Sequence, residues 1–283
     1  MRIGFSLPFR HMDGRAPSIS DVMRVASAIE DAGFDGIWLA DTVARGREAR
    51  PDPLMWLVAA AAATRRVELG TAILQVPLRG AVELAQRFMT LHVLSQGRFL
   101  AGVGAGSSRA DFDAVGIDFE RRFALLGEST ATIRRLCRGE KVGAADLKPW
   151  PGAQPGPPFL IGSWVSPLWI RRAAREFDGW LTSGGGPGGN TFRNLREGIK
   201  LYRDEGGRRA MVATVAVDLG VRGEPLTDDS RFSLRCEPAE AADRIARVEQ
   251  LGYDDVLLRN DELTTDGVLQ VAEALRLDRR PKA

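Results

Sequence analysis

The chain has 283 residues, 44% hydrophobic and 27% charged, with 39 basic residues against 37 acidic ones for a net charge of +2. That is the composition of a globular protein with a sizeable core, and so balanced a charge excludes a large field for nucleic acid or membrane surfaces. Four Lys stand against 35 Arg, a bias read as that of a GC-rich genome rather than as a binding patch.

The N-terminus, Met-Arg-Ile-Gly-Phe-Ser-Leu-Pro8, lacks the apolar run of a secretory signal, and Ala59 to Ala63 is much shorter than a membrane span. A cytoplasmic location is expected, with no membrane partner. Short apolar runs predict strands at 2–7, 36–40, 67–74, 98–103, 158–161, 179–182, 211–219 and 254–258. Between them, helical periodicity predicts helices at 18–32, 53–64, 80–95, 119–138, 165–177, 191–205, 237–251 and 265–276. The first helix opens on a capping arrangement, Ser18-Ile-Ser-Asp21, and places Val22, Val25, Ala26 and Ile29 on one face.

A phrase recurs at the helix-to-strand joins. Glu30-Asp-Ala-Gly-Phe-Asp-Gly-Ile-Trp-Leu39 is echoed by Glu249-Gln-Leu-Gly-Tyr-Asp-Asp-Val-Leu-Leu258 and, more loosely, by Glu176-Phe-Asp-Gly-Trp-Leu181. In the first two a helix ends at a glycine able to take positive φ and an apolar strand follows. Eight such alternations predict a single α/β domain over 1–283, a (β/α)8 TIM barrel with extended loops at its carboxyl face. Those loops are 8–17, 184–189 and 220–235; the Pro/Gly-rich 139–158 leads into a strand and starts at the opposite face.

The run Gly102-Val-Gly104-Ala-Gly106 imitates a dinucleotide fingerprint. It fails the pattern: position 107 is Ser, three strands precede it, and no Gly-Lys-Ser/Thr follows for a phosphate loop. Cys137 and Cys236 are far apart, with no Cys or His at metal-ligand spacing, and read as buried thiols; no metal is expected.

Several pieces in order resemble the luciferase-like monooxygenases, (β/α)8 barrels that use reduced FMN or the deazaflavin F420. They are Ala32-Gly-Phe-Asp-Gly-Ile-Trp-Leu39 with Asp41, Arg66-Val-Glu-Leu-Gly-Thr71, Val76-Pro-Leu-Arg79, Leu94-Ser-Gln-Gly-Arg-Phe99, Gly102 to Gly106, Phe112 to Phe119, and Pro157-Pro-Phe-Leu-Ile-Gly162 with Ser166-Pro167. They extend over about residues 1–185; the last third matches in layout more than in residues.

The resemblance implies a flavin-type oxidoreductase whose cofactor spans the carboxyl face. Gly104, Ala105 and Gly106 would let a flat ring approach the backbone, or else relieve crowding inside the barrel. Thr71, Ala72 and Ile73 would support the ring through a bulge or a strained peptide, with Gln75 a second polar group at that rim. Gly162, Ser163, Trp164 and Ser166 would offer backbone amides at a helix start to the cofactor phosphate. The family often carries Asp-His where this chain has Asp41-Thr42, so the obvious acid/base is missing. Asp41 would orient cofactor or substrate, or cap a loop, and His11 could fold over the mouth as the proton donor. His92 reads as structural, and Trp180 as a wall of the substrate pocket.

The expected function is a monooxygenase acting with reduced FMN and oxygen on a small organic substrate, with a separate reductase supplying the reduced cofactor. F420-dependent hydride transfer and a cofactor-less binding relative are the alternatives. A lyase or isomerase would need a Lys or Glu at a strand end, and none is found there. The resemblance implies a homodimer paired through helices flanking the second and third strands; Leu54 to Ala63 would supply such a surface or else be a buried barrel helix.

Overall fold

The structure, a computed structural model, describes residues 1–11, 13–44, 49–163, 166–182, 189–221, 223, 225–260 and 262–277. In chain order the elements are β1 (Arg2–Ser6), α1 (Ile19–Asp31), β2 (Gly36–Leu39), α2 (Pro53–Ala63), β3 (Glu68–Thr71), β4 (Leu74–Gln75), α3 (Ala81–Leu94), β5 (Phe99–Gly104), α4 (Arg109–Val115), α5 (Arg122–Cys137), β6 (Phe159–Ser163), α6 (Pro167–Glu176), β7 (Gly179–Thr182), α7 (Phe192–Asp204), β8 (Ala210–Asp218), β9 (Leu234–Arg235), α8 (Pro238–Leu251), β10 (Asp255–Arg259) and α9 (Thr265–Ala274). Strands pair in the order β10-β1-β2-β3-β5-β6-β7-β8, and β8 pairs with β10. The closed eight-stranded parallel barrel is the expected one.

Local chemistry explains the joins. At the start of α1 the Ser18 hydroxyl accepts the Asp21 amide at 3.1 Å while the Asp21 carboxylate accepts the Ser18 amide at 3.0 Å. Val22, Val25, Ala26 and Ile29 are buried against the sheet. At the other end Glu30 accepts the amides of Arg65, Arg66 and Val67 at 3.0, 2.6 and 3.0 Å, tying α1 to the entry of β3. Burial pushes the Glu30 carboxyl up, but the three donors outweigh it and hold it below the ordinary glutamate value.

A carboxyl depressed by folding stabilises above its unfolded pKa and loses that contribution as pH falls through the folded value. Glu30→Gln is therefore expected to cost about 1–2 kcal/mol near neutral pH. The gap to wild type should close as the medium is acidified from roughly pH 5 toward pH 3. Thermal melts across that range check this; a gap independent of pH would refute the role given to the carboxylate.

The barrel interior is layered. At the amino end Arg209 reaches Glu68 at 2.7 Å and Asp255 at 2.8 Å, and Arg2 joins Glu68 at 2.8 Å. Above this plug lie Trp38, Leu100, Leu160, Leu181, Met211 and Leu257. The Trp38 indole takes the space that side chains at Gly4, Gly36 and Gly70 would fill, with built Cβ atoms falling 2.6, 2.7 and 2.2 Å from it. Trp38 thus reads as core filling that also reaches the cavity floor.

Three features depart from the sequence reading. The strand expected at 67–74 is two segments: β3 stops at Thr71, the Ala72–Ile73 peptide is cis, and β4 resumes beside the end of β5. Residues 109–115 form a short helix ended by Gly116 at φ 71°, and Phe112 packs edge-on against Phe119. A two-residue strand, β9, extends β8 beyond the barrel. The apolar α2 divides into a buried face (Leu54, Leu57, Ala60, Ala61) and an exposed one with Met55 and Val58.

Candidate active site

The carboxyl ends of the strands surround a cavity of about 540 Å³, within the range of small-molecule sites. Its floor centres on Ala72 and Ile73, which pack on the inner cluster with Trp38 and Leu257. A Cβ at Gly104 would lie 2.9 Å from Ile73 Cδ1, and one at Gly162 would lie 2.3 Å from Ile73 Cγ2. The room left by these glycines is taken by Ile73. Gly104 borders the cavity, and its missing side chain relieves crowding against Ile73.

One rim is a hydrogen-bonded frame. Asp41, its side chain 2% exposed, pairs with Arg79 at 2.6 and 3.0 Å and accepts the Gln75 amide at 3.0 Å. Gln75 Nε2 donates to Asp111 Oδ2 at 2.9 Å, and Asp111 also accepts the Ala44 amide at 3.0 Å. The frame fixes the loop after β2 against β4 and α4. Asp41 lines the cavity and is paired there with Arg79, which is the loop-holding role of the two expected of it. Gly106, at φ 81°, closes the turn after β5, where a Cβ would fall 2.4 Å from Gln75 Oε1.

Opposite the frame's loop, β6 leads into α6. Gly162, Ser163, Ser166 and Trp169 line the cavity, and Ser166 caps α6 with no side-chain hydrogen bond to the helix. The first amides of a helix have no partner within it and carry its positive end. Arg122 stands on the same side: its guanidinium lies 4.5 Å from the Phe123 ring, which lies 5.9 Å from Trp169. Arg122 also faces Glu120 at 3.7 Å and donates to the Phe119 carbonyl at 3.0 Å. Trp164 falls outside the described residues, as do 184–188 of the expected loop 184–189.

Three candidates lie elsewhere. The Thr71 hydroxyl donates to the Gly102 carbonyl at 2.7 Å and is buried outside the cavity, because the alternation along β3 turns it toward β5. Trp180 faces outward between the sheet and α7, its indole donating to Ser163 Oγ at 2.9 Å and its ring beside Tyr202 and Tyr253. It is a core residue, not a substrate wall. His11 turns back on α1, with Nε2 3.3 Å from Asp21 Oδ2, and does not line the cavity. Ala72, Gln75 and Ala105 do line it.

Sequence reasoning missed the basic lining: Arg50, Arg122 and Arg259. All were absorbed into the general arginine excess. Among the described residues no group of His, Cys, Asp and Glu is placed to hold a metal ion. Both cysteines are buried and free, and burial pushes the Cys137 thiol up to about 11. No helix among the described residues is long and apolar enough to cross a membrane.

The family model described as "Luciferase-like monooxygenase" matches residues 1–231. The chain belongs to that family. Among curated luciferase-like relatives, the F420-dependent glucose-6-phosphate dehydrogenase of Amycolatopsis mediterranei is 30% identical over 65% of this chain and 56% of its own length. The 4-hydroxyprotoasukamycin monooxygenase of Streptomyces nodosus subsp. asukaensis is 29% identical over 58% of this chain and 48% of its own. The chain thus spans about half the length of these relatives. A monooxygenase from Streptomyces bottropensis shares the fold, with a TM-score of 0.81 at 19% identity over 98% of both chains. The family groups dehydrogenases with monooxygenases, so oxidoreductase chemistry is the common ground.

Proposed function

We propose that this luciferase-like protein is a monooxygenase that binds reduced FMN across the barrel mouth and oxidises a small organic substrate with oxygen. The observation that carries the reading is the cavity itself, an apolar floor of Ala72 and Ile73 beside an edge of Gly162, Ser163, Ser166 and Arg122. The residues fit such a cofactor: the floor suits a flat ring, and the amides at the start of α6 suit its phosphate. When bound, the reduced cofactor supplies the two electrons of the reaction.

This chain's own groups bind, orient and exclude water. The Asp41–Arg79–Gln75–Asp111 frame holds the rim rigid, and Phe9, Phe119, Phe123 and Trp169 make the walls apolar. Dehydrogenating an alcohol needs a base for the hydroxyl proton. Among the described lining residues Asp41 is the one carboxylate, already paired with Arg79, and no His, Lys, Glu or Cys joins it. That supports oxygenation over alcohol dehydrogenation. Hydride transfer with F420 is the second reading, favoured by the F420-dependent relative.

A separate reductase would supply the reduced FMN, and a second copy would cover the exposed apolar face of α2. Absorbance spectra with FMN and with F420, reduced anaerobically and then exposed to air, test the chemistry. Oxygen-dependent reoxidation of protein-bound FMN supports the monooxygenase. Binding of F420 alone, with no oxygen uptake, would replace it by the hydride-transfer reading.

A further inference from the structure

We infer that Thr214 is a specificity-determining residue of the cavity, its hydroxyl holding the oxygen of an uncharged substrate across from the cofactor floor. The inference deepens the function proposed above and rests on the cofactor lying over Ala72 and Ile73.

Strand alternation alone would turn Thr214 away from the cavity. Along β8, Met211 and Ala213 belong to the inner cluster with Leu257, while Val212 and Val215 pack in the outer core. Pairing runs from Val256–Val212 to Leu258–Val215, so Ala213 and Thr214 together stand opposite the single residue Leu257. The extra residue breaks the two-residue alternation and re-aims a side chain. Thr214 accordingly lines the cavity.

The bulge is both strained and held in place. Thr214 has φ 61°, where a β-branched side chain is strained and glycine is the ordinary choice. Asn190, itself buried, donates from Nδ2 to the Ala213 carbonyl at 3.1 Å and to the Thr182 carbonyl at 3.4 Å, tying the distorted stretch to the end of β7. Closing the barrel needs only the extra residue, whereas a threonine there adds a hydroxyl. Among the described residues that hydroxyl makes no hydrogen bond, which leaves its donor and its acceptor to a ligand. Strain kept at a cavity wall marks a group presented for function.

In the closed order of strands β8 is four places from β3, so Thr214 faces the Ala72–Ile73 floor from the opposite side of the barrel. A substrate stacked on a ring over that floor therefore has Thr214 on its far side. The rest of the lining sets its charge. Arg50 stacks on Phe9 and, like Arg259, has a further partner of its own; Arg122 donates to the Phe119 carbonyl, and Asp41 is paired with Arg79. With the charged side chains of the lining engaged, a single hydroxyl on an apolar wall recognises a neutral oxygen acceptor.

Acetophenone, ethylbenzene and benzoate are the probes, titrated by calorimetry into protein saturated with its cofactor. Acetophenone should bind about tenfold more tightly than either of the others. Thr214→Val should weaken acetophenone by about tenfold while leaving ethylbenzene and cofactor within about twofold, and Thr214→Ser should restore acetophenone to within about threefold of wild type. Thr214→Gly, which suits the left-handed backbone and lacks the hydroxyl, should repeat the Thr214→Val result and decides the question if that variant does not fold. Acetophenone bound no more tightly than ethylbenzene, or unchanged in the folded variants that lack the hydroxyl, overturns the proposal. So does benzoate binding more tightly than acetophenone, which would mean a cationic seat. An equal loss of ketone, hydrocarbon and cofactor in Thr214→Gly would also overturn it, by making Thr214 a packing residue. If wild type binds neither FMN nor F420, the cofactor reading fails separately, and the same titrations on cofactor-free protein decide the role of Thr214.

Discussion

Gly102→Ala is expected to leave little folded protein. A Cβ at position 102 would sit 1.8 Å from the Thr71 carbonyl oxygen and 2.8 Å from Leu181 Cδ1. The first atom is backbone, at the end of β3, where the Thr71 hydroxyl also donates to the Gly102 carbonyl. Relieving the clash would require β3 and β5 to part where they converge on the cavity floor. The cost should be about 4 kcal/mol or more, a large share of the roughly 5–15 kcal/mol that holds a domain together. Gly104→Ala is the control, since its nearest neighbours, at 2.9 and 3.0 Å, are Cδ1 and Cγ1 of the Ile73 side chain rather than backbone. Those can turn aside, for about 1–2 kcal/mol. Urea unfolding of the two variants compares the costs directly; a Gly102→Ala protein within 1 kcal/mol or so of wild type would contradict the packing described.

Arg79→Met should have the second largest effect. It strands Asp41, whose side chain is 2% exposed, without its cation. An unpaired buried charge costs about 3–5 kcal/mol, whereas removing both partners costs much less. The double variant Asp41→Leu with Arg79→Met should therefore recover more than half of the loss. Recovery should be incomplete, because the Gln75 amide also loses its acceptor. FMN affinity should fall at least tenfold in the single variant, since Gln75 and the loop after β2 are both set by this pair. Equal stabilities of the single and double variants would show that the ion pair does not fix the rim.

The fold was legible because a parallel barrel writes itself as short apolar runs and glycine-ended helices. What the runs could not show was interruption. Leu69 to Leu74 reads as one strand, yet Ala72 and Ile73 leave the ladder between β3 and β4. The seven-residue α4 is too short to display a helical period. At the site, positions at strand exits were readable: Ala72, Gln75, Ala105, Gly162 and Ser166 all border the cavity. Side-chain direction was not, because one step along a strand exchanges inside for outside. Thr71 and Trp180 each sit one position from a residue that faces the barrel interior, Ala72 and Leu181. Asp41 was placed correctly at the rim, but its partner Arg79 is 38 residues away and only the assembled barrel joins them. Arg50 reaches the mouth from the loop before α2 and Arg122 from the first residue of α5, both outside the barrel strands, where strand register does not apply.

The central claim is that the carboxyl-end cavity holds a flavin-type cofactor with its phosphate at the start of α6. Fluorescence-quenching titrations of the protein with FMN and with F420, repeated for Arg122→Met and for Ser166→Asp, test it most directly. Wild type should bind at least one of the two at one equivalent per chain. Both variants should bind it tenfold or more weakly, the aspartate by setting a negative charge where the phosphate would sit. Failure of wild type to quench either cofactor, or unchanged affinity in both variants, would contradict it.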